Sequence, residues 1–472
     1  MKKLFIDGKW VDTGQTIDVN SPFDGSLVDT ICSATLEQTE VAIEAAFKAK
    51  EVMKKLTAAQ RGKILDNMSA LILRDQEEIA QIITAEAGKG LTFSRGEAGR
   101  TAENFKFAAD EARRLGGELV PYDASESGAN RFGYYKRYPI GVVGAITPFN
   151  FPLNLVAHKV GPAIAAGNAI ILKPASSTPL TAVKIVELLL EAGLPECGIN
   201  LVVGSGTIVG NALVESDKIN MVTFTGSPAV GLDIKAKAGI KKVTLELGSN
   251  SAAIIHEDAD IKYAVPKCVV GAFANSGQVC ISIQRIYIHE NRYDEFRNMF
   301  VDAVKASTFG NPSDTKTLVG PMIDEKEAAR AESWVKEAVE QGATIATGGK
   351  RTTTMLEPTV LENTTEKMTV IREEIFGPVV CIMKYKTLDE VIARVNDSQF
   401  GLQAGIFTNN IQNAFTAIDE LEVGGVMVND MPTFRVDQMP YGGLKLSGTG
   451  REGPKFAIEE MTELKTVMIN LN

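Results

Sequence analysis

Apolar runs of strand length alternate with segments of helical periodicity between residues 138 and 248. Short, continuous apolar runs are typical of buried strands, whereas apolar residues that recur every three to four positions indicate a helix packed by one face. On this basis the predicted strands cover residues 140–146, 169–173, 200–204, 220–226 and 242–248, and the predicted helices cover 154–166, 179–192, 207–215 and the segment that ends at Gly239.

The strongest helix signals lie at residues 178–193. Thr178 is a typical N-cap residue, whose side chain would accept a hydrogen bond from the first turn, and Pro179 suits the first helical position. Gly193 has the backbone freedom that the residue after a helix often requires, and Gly167 has it after residues 154–166. These signals define the predicted ends of both helices.

The repeated order of strand, helix and strand predicts a parallel sheet with right-handed crossovers and helices on both faces. Ligands bind such doubly wound sheets at the carboxyl ends of the strands. In this chain those ends carry the sequences TPFN, KPAS, GSG, TGS and ELGS. The sequence therefore predicts an α/β domain with a cofactor crevice at this edge of the sheet.

The remaining segments predict a second domain and two arms. Residues 249–443 alternate in the same way and indicate a second α/β domain. Residues 1–117 combine short strand signals with helical periodicity, and we expect them to pack onto the domain formed by 138–248. Segments 118–137 and 444–472 contain alternating stretches that are expected to form extended arms, which commonly pair with another subunit.

Composition and charge narrow the functional classes. The chain has 472 residues, 44% apolar and 23% charged, as in ordinary globular proteins. Its net charge of −10 argues against a general affinity for nucleic acids or acidic membranes. No apolar run approaches the length of a signal-peptide core or a membrane span, so a cytoplasmic location is expected.

Metal and serine-hydrolase chemistry gain little support from the sequence. The chain has three histidines, and none lies at metal-ligand spacing from another. Its five cysteines are scattered and include no Cys-x-x-Cys pair, so neither a zinc site nor a redox dithiol is indicated. No metal is therefore expected, and one of the cysteines is a candidate reactive thiol.

Seven motifs, in a fixed order over most of the chain, resemble the aldehyde dehydrogenase superfamily. They are TPFNFPLN (147–154), ILKPAS (171–176), FTGS (224–227), LELG (245–248), FANSGQVC (273–280), EEIFGP (373–378) and PYGGLKLSGTGREG (440–453). The general pattern is similar to the branch of lactaldehyde dehydrogenases. The resemblance implies a coenzyme-binding domain (1–117 and 138–248), a catalytic domain (249–443) and oligomerisation arms (118–137 and 444–472) in a homodimer or homotetramer.

By this resemblance Cys280 is the nucleophile that attacks the aldehyde and forms a thioester. The side-chain amide of Asn150 and the backbone N–H of Cys280 would hold the oxyanion of the first adduct. Glu246 lies in the apolar strand TLELG, where burial would raise the pKa of its carboxyl and suit it to activate water for hydrolysis. The alternatives are an inert buried cysteine, a helix-capping Asn150 and an exposed Glu246 on an edge strand.

The resemblance also implies NAD or NADP as the coenzyme. Lys173 would hold the adenosine ribose, Glu374 would hold the nicotinamide ribose, and the N–H groups of the helix that starts at Ser227 would suit the pyrophosphate. A solvated surface charge is the alternative for Lys173. Ser176 stands where many NAD-specific members carry a glutamate, so NADP should also be accepted. The expected contacts are Ile146, Thr147, Lys173, Ser176, Gly206, Ser227, Leu247, Glu374 and Phe376.

The substrate entrance, by the same resemblance, is lined by residues just after TPFN and just before PYGG. An arginine without a partner is costly to bury, so Arg435 pointing into this pocket would suit a substrate with an anionic group or several hydroxyls. Solvent exposure of Arg435, or a pair with Asp437, is the alternative. The expected substrate-binding residues are Phe151, Asn154, His158 and Arg435.

The expected reaction is NAD(P)-dependent oxidation of a short polar or anionic aldehyde, such as lactaldehyde, to its carboxylic acid. Other interpretations stay open on the sequence alone. They are a dehydrogenase of semialdehydes or apolar aldehydes, a catalytically silent family member that acts as a structural or binding protein, and a thiol esterase that uses the same cysteine.

Overall fold

An eight-stranded sheet forms the centre of the first α/β domain in the computed structural model, which describes residues 1–472. Leu4–Ile6 and Lys9–Val11 extend one edge in antiparallel orientation, and Gly448–Thr449 covers the other edge. The predicted doubly wound sheet is confirmed. Its five inner strands are parallel and lie in the order Ile199–Leu201, Ala169–Lys173, Val142–Ile146, Met221–Thr225 and Lys242–Glu246.

The strand order reverses at Val142–Ile146. The next two parallel strands along the chain lie on one side of this strand, and the following two lie on the other side. The loops that leave Val142–Ile146 and Met221–Thr225 therefore diverge, and a crevice opens between them at the carboxyl ends of the strands. This crevice is the position that the sequence pattern predicted for a ligand.

Eight helices surround this sheet. Asn154–Ala166 has the predicted bounds and ends at Gly167, whose φ of 88° lies in the left-handed region that favours glycine. The helices are Leu36–Met53, Ala58–Arg74, Gln76–Ala87, Leu91–Arg114, Asn154–Ala166, Leu180–Glu191, Asn211–Glu215 and Pro228–Lys237.

The helix Leu180–Glu191 begins one residue later than predicted, and its cap differs. The prediction of Thr178 as the N-cap is wrong, because the hydroxyl of Thr178 is buried without a hydrogen-bond partner. The carboxylate of Glu86 takes its place and accepts hydrogen bonds from the N–H groups of Leu180 and Thr181 at 2.7 and 3.0 Å. A cap from a residue 94 positions earlier leaves no local signal in the sequence.

A seven-stranded sheet forms the centre of the second α/β domain. Its edge strand Thr344–Thr347 is antiparallel to its neighbour, and the other six strands are parallel. The spatial order is Thr344–Thr347, Thr359–Glu362, Val379–Tyr385, Arg285–His289, Ala252–Ile255, Gln403–Phe407 and Gly425–Val428. The helices are Ile261–Phe273, Tyr293–Lys305, Glu325–Glu340, Thr369–Arg372, Leu388–Asn396 and Ile411–Glu420.

A three-stranded sheet projects from these domains. Arg131–Pro139 pairs along its whole length with Thr462–Asn470, and Gly117–Leu119 pairs with its other side. The expectation that all of 444–472 is an arm is wrong. Gly448–Thr449 pairs with the first sheet, and the helix Pro454–Glu460 packs against Asn154–Ala166 because its apolar side joins the core.

Short antiparallel pairs complete the structure. They are Thr16–Asn20 with Leu27–Cys32, Arg351–Thr352 with Met355–Leu356, and Phe400–Gly401 with Leu444–Lys445. None of the helices combines the length and the apolar character that crossing a bilayer requires.

Candidate active site

A cavity of about 850 Å³ opens at the carboxyl ends of the first sheet and is lined by residues of both α/β domains. One wall follows the strand ends of the first domain, and the other comes from the loops around residues 280, 374 and 400. Seven of the residues predicted from the sequence line this cavity. They are Asn150, Ser227, Glu246, Leu247, Cys280, Glu374 and Phe376.

Cys280 lies in the loop that follows the helix Ile261–Phe273. The turn Ala274–Gly277 holds Asn275 and Ser276 at φ values of 52° and 56°, a backbone conformation that such residues adopt only when the surroundings impose it. The Sγ atom of Cys280 lies 2.8 Å from the hydroxyl oxygen of Tyr441. Burial raises the pKa of the thiol to about 12, and its backbone N–H donates no hydrogen bond within the protein.

Asn150 follows the strand Val142–Ile146 and faces the loop that carries Cys280. Its side-chain Nδ2 donates a hydrogen bond to the carbonyl oxygen of Gln278 at 2.9 Å, which leaves one N–H of the amide for a ligand. Asn150 does not cap the next helix, because Glu97 accepts the hydrogen bonds from the N–H groups of Leu153 and Asn154. The helix-cap alternative is therefore excluded.

Glu246 ends the strand Lys242–Glu246 and is 4% exposed, so the alternative of an exposed edge-strand charge is excluded. Its Oε2 atom is buried without a hydrogen-bond partner. Burial, together with the neighbouring carboxylate of Glu452, raises the pKa of the Glu246 carboxyl well above its usual value. The first glycine of PYGG makes room for it, since a Cβ at Gly442 would lie 2.9 Å from Oε1.

Arg435 is a buried cation with a carboxylate partner. Its Nη2 atom lies 2.9 Å from Oε2 of Glu452 and 2.8 Å from Nε2 of His158. The expectation that Arg435 lacks a partner is wrong, and its partner is neither solvent nor Asp437. All of its hydrogen bonds use Nη2, however, and its Nε atom is buried without an acceptor. Because Nε is enclosed by the protein, Nη1, which makes no hydrogen bond, is the donor nitrogen left for a ligand.

Asn154 and His158 face a protein carboxylate, not an empty pocket. The carboxylate of Asp437 accepts from Nδ2 of Asn154 at 3.1 Å and lies 2.8 Å from Nε2 of His158 and from Nη2 of Arg100. Burial alone would raise the pKa of Asp437, but the hydrogen bond to His158 and the positive charges of Arg100 and Arg435 hold it well below its usual range. The expectation that Asn154 and His158 present their polar atoms to the substrate is therefore wrong, because these atoms contact Asp437.

Phe151, the fourth residue expected at the substrate entrance, packs under a buried ammonium group. The Nζ atom of Lys89 lies 3.6 Å above its ring and also pairs with Glu97. A cation in this position is attracted by the negative face of the ring.

Lys173 ends the strand Ala169–Lys173, beside Ile146 in the sheet. It is 6% exposed and forms no ion pair, and its one hydrogen bond goes to the carbonyl of Pro174 at 3.4 Å. Burial lowers the pKa of its amine to about 8. The surface-charge alternative is excluded. The neighbouring hydroxyl of Thr147 is also buried without a partner.

Ser176 and Gly206 lie on loops that meet. The Ser176 hydroxyl donates to the carbonyl of Gly204 at 3.1 Å, and Gly206 is the exposed first residue of the helical turn Gly206–Gly210. The helix Pro228–Lys237 starts at Ser227, and no side chain caps the N–H groups of its first turn. Leu247 lines the cavity beside this helix.

Glu374 and Phe376 form the opposite wall. Oε1 of Glu374 accepts a hydrogen bond from the backbone N–H of Ser249 at 2.9 Å, and burial raises the pKa of its carboxyl to about 7. A Cβ at Gly248 would lie 2.2 Å from its Oε2, so only glycine permits this approach. The ring of Phe376 meets that of Phe149 edge to face, with 5.9 Å between the ring centres.

These features fit a dinucleotide coenzyme. An uncapped helix N-terminus suits phosphate, and a buried lysine without a carboxylate partner suits the oxygens of a bound ligand. The cavity volume of about 850 Å³ is also sufficient for a ligand of this size.

Comparison with known proteins agrees with this geometry. The sequence pattern of the aldehyde dehydrogenase family matches residues 10–467. The chain belongs to the aldehyde dehydrogenase family. The resemblance inferred from the seven motifs is therefore confirmed, and the protein is an NAD(P)-dependent oxidoreductase.

Two relatives match this aldehyde dehydrogenase over nearly its whole length. The 3-sulfolactaldehyde dehydrogenase of Priestia megaterium is 48% identical over 469 residues, which cover 99% of this chain and 98% of the relative. The lactaldehyde dehydrogenase of Methanococcus maripaludis (strain C7) is 43% identical over 471 residues, which cover 99% of this chain and 100% of the relative.

A solved structure supports both the fold and the coenzyme. Glyceraldehyde-3-phosphate dehydrogenase GapN from Methanocaldococcus jannaschii, complexed with NADP, superposes on this aldehyde dehydrogenase with a TM-score of 0.93. The two are 40% identical, and the match covers 96% of this chain and 99% of the other. The coenzyme of this aldehyde dehydrogenase is accordingly NAD or NADP.

The sequence analysis missed three buried residues beside the cavity. Tyr441 and Glu452 lie in the motif at residues 440–453, but the sequence predicted no function for either of them or for Lys159. Lys159 pairs with Glu452 at 3.0 Å. One signal was present, because Lys159 is the only lysine, arginine or carboxylate residue in the mostly apolar segment Asn154–Ala166, where a charge needs a partner inside the fold.

Proposed function

We propose that this aldehyde dehydrogenase oxidises a short polar or anionic aldehyde of three to four carbons to its carboxylic acid, through a thioester on Cys280. The proposed chemistry is supported by one observation, that Cys280, Asn150 and Glu246 all line the same cavity. A thiol, an amide donor and a buried carboxyl are the groups that acyl formation and hydrolysis require.

Cys280 begins the reaction. The sulfur of its thiolate bonds to the aldehyde carbon, and the π electron pair of the carbonyl moves to oxygen. The second N–H of the Asn150 amide and the backbone N–H of Cys280 are the donors that we assign to this oxyanion. Loss of one such donor typically costs about 10² to 10³ in rate.

When bound, a nicotinamide coenzyme would supply the acceptor for the hydride that the adduct carbon loses as its C=O bond re-forms and the thioester results. Lys173, the helix start at Ser227 and Glu374 are the residues that we assign to its binding. Glu246 then takes a proton from a water molecule, whose oxygen attacks the thioester carbon. The S–C bond breaks, the electron pair returns to Cys280 as a thiolate, and the carboxylic acid leaves.

The substrate class is supported by Arg435 and by the relatives. Only the side chain of Tyr441 separates Arg435 from the nucleophile. The guanidinium of Arg435 stacks 3.6 Å above the ring of Tyr441, and the hydroxyl of Tyr441 contacts Cys280. The Nη1 atom of Arg435 makes no hydrogen bond within the protein and is the donor that we assign to an anion or a hydroxyl of the substrate. The sulfonated and hydroxylated aldehydes in the names of the two relatives are substrates of this kind.

Replacing Arg435 with leucine should raise the KM for 3-sulfolactaldehyde by tenfold or more, because a hydrogen bond to a charged group is worth about 1.5 to 3 kcal/mol. The KM for propanal should change much less, since propanal has no polar group to lose the contact. Steady-state kinetics of both aldehydes in one variant is the measurement, and propanal controls for disturbance of Tyr441. Equal increases in both KM values, or a wild-type preference for hexanal over every polar aldehyde, would contradict the proposed substrate class.

Coenzyme choice should respond to position 176. A glutamate there would repel the 2′-phosphate of NADP, whereas Ser176 does not. We expect wild type to use NADP at least as well as NAD, and Ser176→Glu to lower kcat/KM for NADP by tenfold or more with little change for NAD. Ser177→Glu, at an exposed neighbouring position, is the matched control. Strict NAD specificity in the wild type would refute this assignment.

We further propose that the protein is a cytoplasmic homodimer or homotetramer assembled through the three-stranded sheet. Its outer strands, Gly117–Leu119 and Thr462–Asn470, each have one unpaired edge. Exposed apolar residues accompany them, namely Leu119, Phe132, Leu464, Met468, Ile469 and Leu471. Edges with this character commonly pair with another copy. Light scattering that gave the mass of a single chain would disprove the assembly.

A further inference from the structure

Tyr441 is the residue whose polar atom contacts the sulfur of Cys280. Its hydroxyl oxygen lies 2.8 Å from Sγ, and its side chain is buried, at 2% exposed. The backbone of Tyr441 exchanges two hydrogen bonds with that of Glu452, at 3.1 and 2.7 Å. The phenol is therefore held against the nucleophile by both its packing and its main chain.

A cation covers the ring of the same tyrosine. The guanidinium of Arg435 lies 3.6 Å from the ring centre and is held there by its pair with Glu452. A cation over the face of a phenol withdraws electron density from the ring and makes the hydroxyl a stronger hydrogen-bond donor. Arg435 thus acts on Cys280 through the phenol as well as through its own charge.

The direction of the hydrogen bond follows from the protonation states. Burial raises the pKa of the Tyr441 phenol well above its usual value, so the phenol keeps its proton. Burial raises the pKa of the Cys280 thiol, and the hydrogen bond from Tyr441 acts against that rise. The charged groups that act on Cys280 are Arg435, which favours the thiolate, and Glu374 and Glu246, which oppose it.

We propose that Tyr441 is a catalytic residue whose hydroxyl donates a hydrogen bond to the Cys280 thiolate and holds the sulfur ready for attack. The thiol proton leaves for a water molecule in the cavity, and Tyr441 keeps its own proton throughout. When the S–C bond forms, the sulfur loses its negative charge and the hydrogen bond weakens. The proposal rests on the role of Cys280 proposed above.

The test is the pH dependence of Cys280 alkylation by iodoacetamide in the full chain, followed by mass spectrometry of the peptide that contains Cys280. Thiolates react with this reagent and thiols do not. Tyr441→Phe removes only the hydroxyl, and we expect the midpoint of the alkylation profile to rise by about one to two pH units. The alkylation rate at neutral pH should fall by about three- to tenfold, because the smaller thiolate fraction is partly offset by the greater nucleophilicity of a more basic thiolate, and the limiting rate at high pH should not fall.

Two further variants separate this role from simple packing. Tyr385→Phe removes another buried hydroxyl, one that donates to the carbonyl of Ile255 away from the cavity, and its profile should match that of the wild type. Fluorotyrosine incorporated at position 441 keeps the hydroxyl and makes it a stronger donor, so it should lower the midpoint. This substitution retains the shape of the side chain and serves if Tyr441→Phe fails to fold.

An unchanged midpoint in Tyr441→Phe, or an equal shift in Tyr385→Phe, would overturn the role of Tyr441 and leave the proposed function intact. Failure of Cys280 to react with iodoacetamide at any pH in the wild type would overturn both. A midpoint that rises in Tyr441→Phe and falls with fluorotyrosine would support the proposal, because packing alone does not predict opposite shifts.

Discussion

Cys280→Ala is expected to abolish aldehyde oxidation, with a loss on the order of 10⁵ to 10⁶ in kcat/KM, as is typical when a covalent nucleophile is removed. Without the sulfur no thioester forms, and no other cysteine lines the cavity to replace it. Formation of reduced coenzyme with a short aldehyde is the measurement. Coenzyme binding, followed by protein fluorescence, should persist because the assigned binding residues are unchanged.

Cys197→Ala is the matched control for this variant. Cys197 is partly exposed but lies outside the cavity, and its replacement should leave activity unchanged. Mass spectrometry of the wild type mixed with substrate should find the acyl adduct on the peptide that contains Cys280. An adduct on another cysteine, or substantial activity in Cys280→Ala, would disprove the assigned nucleophile.

The fold of the first domain was predictable because short segments of the sequence determine each of its strands and helices. Each parallel strand is a short apolar run, and each intervening helix has its own periodicity, so the alternation from residue 142 to 246 appears directly in the sequence. The helix Asn154–Ala166 has the predicted bounds for the same reason, since Gly167 marks its end. The crevice then follows from the strand order and not from any single residue.

The sequence-based predictions were wrong where the hydrogen-bond partner of a residue lies far away in the sequence. Thr178 is a suitable N-cap in isolation, but the carboxylate of Glu86 occupies the end of that helix. Asn154 and His158 were assigned to the substrate pocket, but the carboxylate that they contact, Asp437, lies 283 and 279 positions later in the sequence. Hydrogen bonds across such separations depend on the packing of whole domains, which hydrophobic periodicity does not specify.

The site was predictable in a different sense. The motifs identified Cys280, Asn150 and Glu246 one by one, but no pattern indicated that a buried tyrosine contacts the sulfur. Tyr441 lies 161 positions after Cys280, and its contact depends on the backbone pairing of Tyr441 with Glu452. Residue identity could be inferred from the sequence, whereas mutual orientation required the structure.

Glu246→Gln is expected to separate the two halves of the reaction. The variant retains Cys280, so the first turnover should release one equivalent of reduced coenzyme in a rapid burst. Steady-state turnover should then fall by about 10² to 10⁴, because glutamine cannot take the proton of the attacking water. Rapid-mixing kinetics of reduced coenzyme, read together with the mass of the trapped thioester, is the measurement.

The pH dependence of the wild type should follow from the environment of Glu246. Its carboxyl has a raised pKa because of burial and the carboxylate of Glu452, so the ionised form that acts as a base grows only as the pH rises above the usual range for glutamate. Hydrolysis of the thioester should therefore accelerate with rising pH. In Glu246→Gln the remaining slow hydrolysis should lack this titration.

Two controls test whether Glu246→Gln loses steady-state turnover because water is no longer activated. Hydroxylamine attacks thioesters without a base, so its addition should restore turnover in Glu246→Gln but not in Cys280→Ala. Glu86→Gln replaces an equally buried glutamate outside the cavity and should keep steady-state turnover. A base that acts only on the thioester must affect only the second half of the reaction. The assignment of Glu246 to the hydrolytic step would therefore be wrong if Glu246→Gln showed no burst, or if its turnover equalled that of the wild type.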